Sequence, residues 1–223
     1  MTGRFDPDLL PVAPDLSFEE NLWAAGALEV AGIDEVGRGA LAGPVGAAVV
    51  VFPPEPDKLA VLFGMLDSKK QSPAERVFWA EKVRRVATGW GISFASAKEI
   101  DDLGILPATR LAIQRALEIL PLTPQHLLLD CMFLPDIPIP QTSLIKGDER
   151  SLSIAAASVL AKNARDQLLV EMDSHYPGYG FASHMGYATP YHRAALGEIG
   201  PCPIHRYSYS PIKFIRTNPA SRK

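Results

Sequence analysis

One apolar segment near the N-terminus limits the folds that this chain can adopt. Residues 30–52 read VAGIDEVGRGALAGPVGAAVVVF and are followed directly by two prolines. Short runs of apolar and β-branched residues bounded by turn residues are typical of buried strands, and the Gly37-Arg38-Gly39 break divides this run in two. The segment therefore predicts two strands joined by a tight turn.

Helix and strand signals alternate along the rest of the chain. Ser72 with Glu75 and Ser96 with Glu99 form capping boxes that predict helix starts, and Ser17 with Glu20 predicts another. This order of elements predicts an α/β fold with a mixed sheet. The predicted helices are 17–29, 72–87, 107–120, 151–176 and 189–200, and the further predicted strands are 88–97, 125–130 and 141–148.

Composition indicates one substantial folded domain. The chain has 223 residues, of which 47% are hydrophobic, and no apolar run reaches the roughly 20 residues that a membrane-spanning helix needs. The N-terminus lacks the layout of a signal peptide, and the two cysteines fit no metal-binding spacing. We expect a cytoplasmic protein, with residues 1–28 forming an arm and a short helix. Residues 29–223 are expected to form a single domain with a helical and basic C-terminal segment from about residue 170.

The charge of the chain is unevenly distributed. The net charge of -3 is not typical of a nucleic-acid-binding domain, but residues 201–223 contain basic residues and no Asp or Glu. This segment fits two interpretations, a tail that follows a phosphate backbone or a solvated basic terminus. Its basic residues are Arg206, Lys213, Arg216, Arg222 and Lys223.

Carboxylates follow apolar residues at or near the ends of three predicted strands. They are Asp34 with Glu35, Asp130 and Asp148. A buried carboxylate needs a partner, and for any one of them a separate salt bridge or a loop cap is a sufficient explanation. Four together favour an oxygen-rich pocket for a hard cation such as Mg²⁺ or Mn²⁺. Such a site suits phosphoryl chemistry with two metal ions.

The adjacency of Asp34 and Glu35 raises a geometric objection, because successive side chains of a regular strand point to opposite faces. We expect Gly37 and Gly39 to let the chain bend already at Glu35. The same segment also resembles a phosphate-binding loop, with Gly32 and Gly37 correctly spaced. Arg and Gly replace the required Lys and hydroxyl residue, so nucleotide triphosphate binding is not expected.

Six motifs together resemble the ribonuclease HII family of bacterial type 2 ribonucleases H. They span residues 31–212 in the order of the family. The resemblance implies an RNase H core, with a five-stranded mixed sheet, flanking helices and a helical C-terminal portion. The motifs are AGIDEVGRGALAGPV, DSKKQSPAER, LLLDCMFLP, LIKGDERSLSIAAASVLAKNARD, YPGYGFASHMGYATPYH and PIHRYSYSPI.

The resemblance also implies an activity. The four acidic positions of the family fall on Asp34, Glu35, Asp130 and Asp148, which would bind the divalent metals, Mg²⁺ or Mn²⁺. The implied reaction is endonucleolytic hydrolysis of RNA in RNA–DNA hybrids, and cleavage 5′ to single ribonucleotides embedded in duplex DNA. It would leave 5′-phosphate and 3′-hydroxyl ends. The implied partner is nucleic acid, with no membrane, and the protein is expected to be a monomer.

Further positions match substrate contacts of the family. Gly37, Arg38 and Gly39 match the loop that senses the ribose 2′-hydroxyl through backbone contacts. Tyr187 matches the aromatic residue that packs on the neighbouring sugar. The remaining expected contacts are Ser68 and Lys69, matching a phosphate-contacting pair, and Lys146, which adds positive charge nearby.

Several positions depart from the family pattern. Cys131 stands where Gly usually follows the third carboxylate, and Met185 stands where Lys is common. None of the departures removes an expected metal ligand. We expect the loop histidines to orient backbone or contact phosphate, and Arg165 and Asp166 to form structural ion pairs. The alternative functions are a catalytically silent nucleic-acid-binding module and a nucleotide triphosphate switch.

Overall fold

A five-stranded mixed sheet forms the centre of the protein, in a computed structural model that describes residues 10–217. Residues 1–9 of the expected arm lie outside the described residues, as do Arg222 and Lys223 of the basic tail. The strand order is β3-β2-β1-β4-β5, with the first three antiparallel and β4 and β5 parallel to β1. This confirms the predicted fold class. The strands are β1 Val30–Val36, β2 Val45–Val51, β3 Gly89–Ala95, β4 His126–Asp130 and β5 Gln141–Leu144.

The opening segment forms two antiparallel strands, but the predicted tight turn between them is wrong. β1 and β2 pair in register from Ala31 opposite Val51 to Val36 opposite Gly46. Residues 37–44 form a longer loop that is bound to the C-terminal part of the chain: the Leu41 N–H donates to the carbonyl of Gly186 at 2.8 Å. Distant residues therefore determine the path of this loop.

Two of the three capping boxes that the sequence predicts are present in the structure. They are the boxes at Ser72 and Ser96. The box predicted at Ser17 is wrong, because Ser17 is already helical and its N–H donates to the side chain of Asp15. The helices are α1 Ser17–Ala24, α2 Pro56–Leu59, α3 Pro73–Val86, α4 Ala97–Leu103, α5 Ile105–Glu118, α6 Leu152–His175, α7 Phe181–His184, α8 Pro190–Ile199 and α9 Ile212–Thr217.

The sheet is covered by α6 on one face and by α5 on the other. Alternate residues of β1 and β2 therefore enter two separate apolar clusters, Val50 with residues of α6 and Val49 with residues of α5. Small residues bring α6 unusually close, since a Cβ at Gly32 would lie 2.2 Å from the backbone of Ser153. Gly32 is thus a packing residue inside a strand, which excludes the phosphate-loop interpretation.

The C-terminal part packs as a third apolar cluster beside the loop of residues 37–44. Tyr179 and Phe181 are buried there, against Leu41 of the loop and Leu169 of α6. The two aromatic side chains therefore pack beneath the C-terminal helices and form part of the core. No helix within residues 10–217 is long and apolar enough to cross a membrane.

Candidate active site

A cavity of about 530 Å³ opens at the carboxyl ends of β1 and β4. Parallel neighbouring strands end at the same edge of a sheet, which is where ligand sites of α/β proteins lie. The cavity collects most of the site residues that the sequence predicts. Those in its lining are Asp34, Glu35, Gly37, Arg38, Gly39, Ser68, Lys69, Asp130 and Tyr187.

Asp34 is the most buried carboxylate in the cavity lining, with 5% of its surface exposed. It lies on the face of β1 that α6 covers, where it meets the hydroxyl of Ser158. Burial raises the pKa of Asp34 well above its ordinary value, and the charges of Glu35, Asp130 and Asp148 raise it further. Four carboxylates therefore share one electrostatic environment.

Glu35 reaches the same cavity from the other face of the strand. The expected bend at this residue is wrong, because β1 stays paired with β2 as far as Val36. The backbone turns only at Gly37, which has a φ of 86°. The cavity lies at the end of the strand and so receives side chains from both faces. An ion pair of 3.0 Å joins Arg38 Nη1 to Glu35 Oε1.

Asp130 and Asp148 are brought together by a short turn. Asp130 is the last residue of β4, and its Oδ1 accepts a hydrogen bond of 2.7 Å from the N–H of Gly147. Burial and the charges of Asp148 and Glu35 raise the pKa of Asp130. Asp148 is not at a strand end as predicted, because β5 stops at Leu144 and Asp148 lies in a 3-10 turn.

Lys69 supplies a positive charge to this cluster. Its Nζ donates to Oδ2 of Asp148 at 2.8 Å. Burial lowers the pKa of Lys69, but the hydrogen bond and charge of Asp148 outweigh this, so that the pKa is raised. Ser68 is buried, and its hydroxyl lies 2.8 Å from the hydroxyl of Ser158.

The donor set of the cavity fits a hard divalent cation. The lining contains carboxylate and hydroxyl oxygens but neither His nor Cys among the described residues. Burial first, and then the charges of the neighbouring carboxylates, raise the pKa of Asp34, and a cation bound there would offset both effects. Within residues 10–217 no three His, Cys, Asp or Glu side chains are already arranged around one ion position. Lys69, Arg38 and the Gly147 N–H instead occupy carboxylate oxygens.

Lys146 is not part of the cavity lining. Its Nζ lies 3.0 Å from Oε1 of Glu149, and its backbone adopts a left-handed conformation with a φ of 56°. The ion pair with a neighbouring carboxylate directs the ammonium group to Glu149. A contact of Lys146 with substrate stays a prediction.

Two arginines differ from their sequence interpretation. Arg206 belongs to the basic C-terminal segment, yet its side chain is fully buried and donates to backbone carbonyls of Gly37, Arg38 and Gly43. It therefore cannot follow a phosphate backbone. Arg165 also donates to backbone carbonyls and forms no ion pair among the described residues, so the predicted ion pair is wrong for Arg165. It is confirmed for Asp166, which pairs with Arg76 and Lys162.

Tyr187 and the loop histidines form one connected unit. The ring of Tyr187 is 37% exposed and lines the cavity. Its carbonyl is within 2.9 Å of His192 Nδ1, and His192 Nε2 lies 3.0 Å from Nε2 of the buried His205. His184 contacts the carbonyl of Tyr179. His205 Nδ1 accepts a hydrogen bond from the N–H of Cys202 at 2.9 Å, so the prediction that these histidines orient backbone is confirmed for all three.

Two functional candidates on α6 were missed by the sequence interpretation. Ser158 and Lys162 both line the cavity. Lys162 is held by Asp166 at 2.7 Å, and Asp166 is in turn paired with Arg76 at 3.1 Å. The available signal was the spacing of polar residues at 158, 162 and 166, which places them on one side of an Ala-rich helix.

Comparison with known proteins identifies the family. The family model described as ribonuclease HII matches residues 31–212. The ribonuclease HII of Synechococcus sp. (strain JA-3-3Ab) is 50% identical over 202 residues, which cover 91% of this chain and 90% of that protein. The ribonuclease HII of Moorella thermoacetica is 49% identical over 193 residues, covering 86% of this chain and 92% of that protein.

Solved structures agree on the fold. The ribonuclease H2 from Pyrococcus horikoshii OT3 superposes with a TM-score of 0.69 at 24% identity, covering 87% of this chain and 99% of that one. Bst-RNase HIII in complex with Mn²⁺ superposes with a TM-score of 0.59 at 16% identity, covering 86% of this chain and 70% of that one. The chain belongs to the ribonuclease HII family of divalent-metal-dependent enzymes and is a ribonuclease H that cleaves RNA in RNA–DNA hybrids.

Proposed function

We propose that this ribonuclease H cuts duplex DNA on the 5′ side of a single embedded ribonucleotide, in addition to cutting hybrids. The observation that carries the proposal is the composition of one cavity. It joins the carboxylate cluster around Asp34 to the Gly37-Arg38-Gly39 turn and to the exposed ring of Tyr187. A site that tests one ribose beside the scissile phosphate needs these three parts.

We propose that Asp34, Glu35, Asp130 and Asp148 hold the divalent ions, Mg²⁺ or Mn²⁺. Two such ions, when bound, activate water and stabilise the departing 3′ oxygen, so that the products carry 5′-phosphate and 3′-hydroxyl ends. Support comes from the burial of Asp34 and Asp148 and from the raised pKa of Asp34. These carboxylates are costly to bury as anions unless positive charge is close.

The other cavity residues bind and orient the substrate in this proposal. Lys69 carries the positive charge nearest Asp148 and is exposed enough to turn toward a phosphate. The backbone N–H groups of the Gly37-Arg38-Gly39 turn can donate hydrogen bonds to a ribose 2′-hydroxyl. The exposed ring of Tyr187 offers an apolar face to the adjacent sugar. The hydroxyl of Ser68 is buried against that of Ser158, so Ser68 contacts the substrate through its backbone rather than through its side chain in this proposal.

The test is cleavage of a labelled duplex that contains one ribonucleotide, with Mg²⁺ and Mn²⁺ in separate reactions. A cut on the 5′ side of the ribose, with 5′-phosphate on the downstream product, is expected. A cut only on the 3′ side, or cleavage restricted to long hybrids, would contradict the proposal. Asp34→Asn and Asp130→Asn are expected to abolish cleavage, whereas Asp136→Asn, on an exposed loop, serves as the matched control.

The same variants separate catalysis from binding alone. A catalytically silent module would bind the duplex without cutting it, and the Asp34→Asn substitution would leave its behaviour unchanged.

We also propose that the chain acts as a monomer. Sedimentation with and without the duplex is expected to give one copy per duplex.

A further inference from the structure

Two fully buried arginines lie directly behind the Gly37-Arg38-Gly39 turn. Arg165 comes from α6 and Arg206 from the C-terminal segment, and both side chains have 0% exposure. Neither forms an ion pair with a carboxylate among the described residues. Burying a cation without a counter-ion costs free energy. The hydrogen bonds of each guanidinium must offset this cost, which indicates a role beyond filling space in the core.

Arg206 binds the turn itself. Its Nη2 donates to the carbonyl of Gly37 at 2.7 Å and its Nη1 to the carbonyl of Arg38 at 2.8 Å, while Nε donates to Gly43 at 3.0 Å. The hydroxyl of Tyr209 donates to the same Arg38 carbonyl at 2.8 Å. Two successive peptide carbonyls of the turn are thus held toward the protein interior.

Arg165 binds the far side of the same loop. It donates to the carbonyls of Ala42 at 3.1 Å and Pro44 at 2.9 Å, and to that of Met185 at 3.0 Å. Its guanidinium carbon lies 5.6 Å from the ring centre of Tyr187. One side chain therefore joins the loop to the segment that carries the exposed tyrosine.

The backbone conformation at Gly37 is restricted by the close approach of Arg165. A Cβ at Gly37 would lie 2.1 Å from Nε of Arg165, so the glycine is required by the arginine as well as by its positive φ. Within residues 10–217 the N–H groups of Arg38 and Gly39 donate to no protein acceptor. The carbonyls of the turn are thus held toward the interior, and two of its N–H groups have no protein acceptor. This is the arrangement that a preorganised set of hydrogen-bond donors requires.

We propose that Arg165 and Arg206 are positioning residues for ribose recognition, which hold the loop so that its amides face the 2′-hydroxyl of the substrate. This inference rests on the proposed function. Lysine cannot replace either residue, because the planar guanidinium binds several carbonyls at fixed angles and an ammonium group does not.

The test compares the affinity of each variant for two duplexes that differ in one 2′-hydroxyl. Binding is measured by fluorescence anisotropy with Ca²⁺ in place of the catalytic ion, and a denaturing gel confirms that the duplex stays intact. Arg206→Lys and Arg165→Lys are expected to lower the ratio of ribonucleotide to all-DNA affinity about tenfold, with all-DNA affinity unchanged. A purely structural role would lower both affinities together.

Controls separate the possible results. Arg115→Lys is the matched control, since Arg115 also donates to a backbone carbonyl, that of Phe94, but lies far from the cavity lining. Its ratio is expected to stay at the wild-type value. If a lysine variant does not fold, Tyr209→Phe removes the hydroxyl that donates to the Arg38 carbonyl and accepts from Arg206 Nη1, and is expected to lower the ratio about threefold.

The outcomes distinguish the two proposals. A wild-type protein with no preference for the ribonucleotide duplex would contradict the proposed function, and the positioning role with it. A wild-type preference that the folded lysine variants and Tyr209→Phe all retain would overturn the positioning role alone. A selective loss of the ratio in these variants, and not in Arg115→Lys, supports it.

Discussion

The ammonium group of Lys69 lies 2.8 Å from Oδ2 of Asp148, one of the four carboxylates expected to hold metal. A cation of the protein thus occupies a carboxylate oxygen that a divalent ion needs. Lys69 and the metal are therefore expected to compete for Asp148, and displacement of Lys69 leaves its ammonium free to approach a substrate phosphate.

Lys69→Met is expected to tighten divalent-ion binding about fivefold, because two charges about 4 Å apart interact by roughly 1 kcal/mol in water. Affinity for the duplex is expected to fall. Isothermal titration with Mn²⁺ measures the first effect, and Lys70→Met is the matched control, since Lys70 pairs with Glu149 instead. Weaker ion binding in Lys69→Met would show that the two cations do not compete.

Asp34→Asn is expected to stabilise the fold while it removes activity. Burial raises the pKa of Asp34, so the folded chain binds a proton there more readily than the unfolded chain does. The stabilising contribution of this group is present at low pH and is lost as pH rises through its folded-state pKa. At pH 7.5 the amide variant should therefore be more stable than the wild type.

Urea unfolding at pH 7.5 and pH 4 measures this effect. The difference between Asp34→Asn and wild type is expected to shrink at the lower pH, where Asp34 is largely protonated. An amide variant less stable than wild type at pH 7.5 would mean that Asp34 is stabilised as an anion, contrary to the raised pKa.

His205 is expected to make the fold sensitive to acid. Burial, with the charge of His192, lowers the pKa of His205 from 6.5 to about 4. The unfolded chain therefore binds this proton more readily, and the contribution of His205 is fully present above pH 6.5 and is lost as pH falls toward 4. The loss is on the order of 2 kcal/mol.

Comparison with a variant isolates this group, because the raised pKa values of Asp34, Asp130 and Glu19 give a slope of opposite sign. The stability advantage of wild type over His205→Gln in urea is expected to shrink between pH 7.5 and pH 4.5. His175→Gln, at an exposed position, should show no such change. A constant advantage across this range would refute the contribution of His205.

Cys131 is held in a left-handed conformation, with a φ of 45°. This conformation costs a non-glycine residue about 1 kcal/mol or more. Glycine avoids that cost but loses more backbone entropy on folding, so Cys131→Gly is expected to stabilise the protein by about 0.5 kcal/mol. Cys131→Ala keeps the Cβ and removes only the sulfur. Equal stability of the Gly and Ala variants in thermal unfolding would exclude backbone strain as the cause.

Cys131 lies beside Asp130 but is not expected to make the enzyme sensitive to oxidants. The thiol is exposed, but burial of its surroundings and the charge of Asp130 raise its pKa, so little thiolate forms at neutral pH. Activity after peroxide treatment is therefore expected to be similar in wild type and Cys131→Gly.

Local chemistry explains most of what could be predicted from the sequence. The capping boxes at Ser72 and Ser96 use residues three positions apart, and they are present as predicted. The strands around Asp34 and Asp130 follow from apolar runs. The order of the motifs identifies the family, and four carboxylates at or near predicted strand ends indicate a shared pocket.

Long-range contacts decided the rest. Arg206 lies in a segment whose composition suggests a solvated tail, and only its contact with the carbonyls of Gly37 and Arg38 makes it a buried residue. The loop of residues 37–44 has a path set by hydrogen bonds to distant residues such as Gly186. Contacts between residues far apart in the chain leave no periodicity or fixed spacing in the sequence, so they cannot be predicted from local patterns.

The amino-acid sequence by itself determined the family, the order of the elements and the four carboxylates that we propose as metal ligands. Tertiary structure alone decided that Asp34 and Glu35 enter one cavity from opposite faces of a strand end, and that Asp148 lies in a turn next to Asp130 rather than in the cavity lining. The physical reason is that residue types and hydrogen-bonding patterns are local properties, whereas burial and the convergence of charges depend on which distant segments pack together.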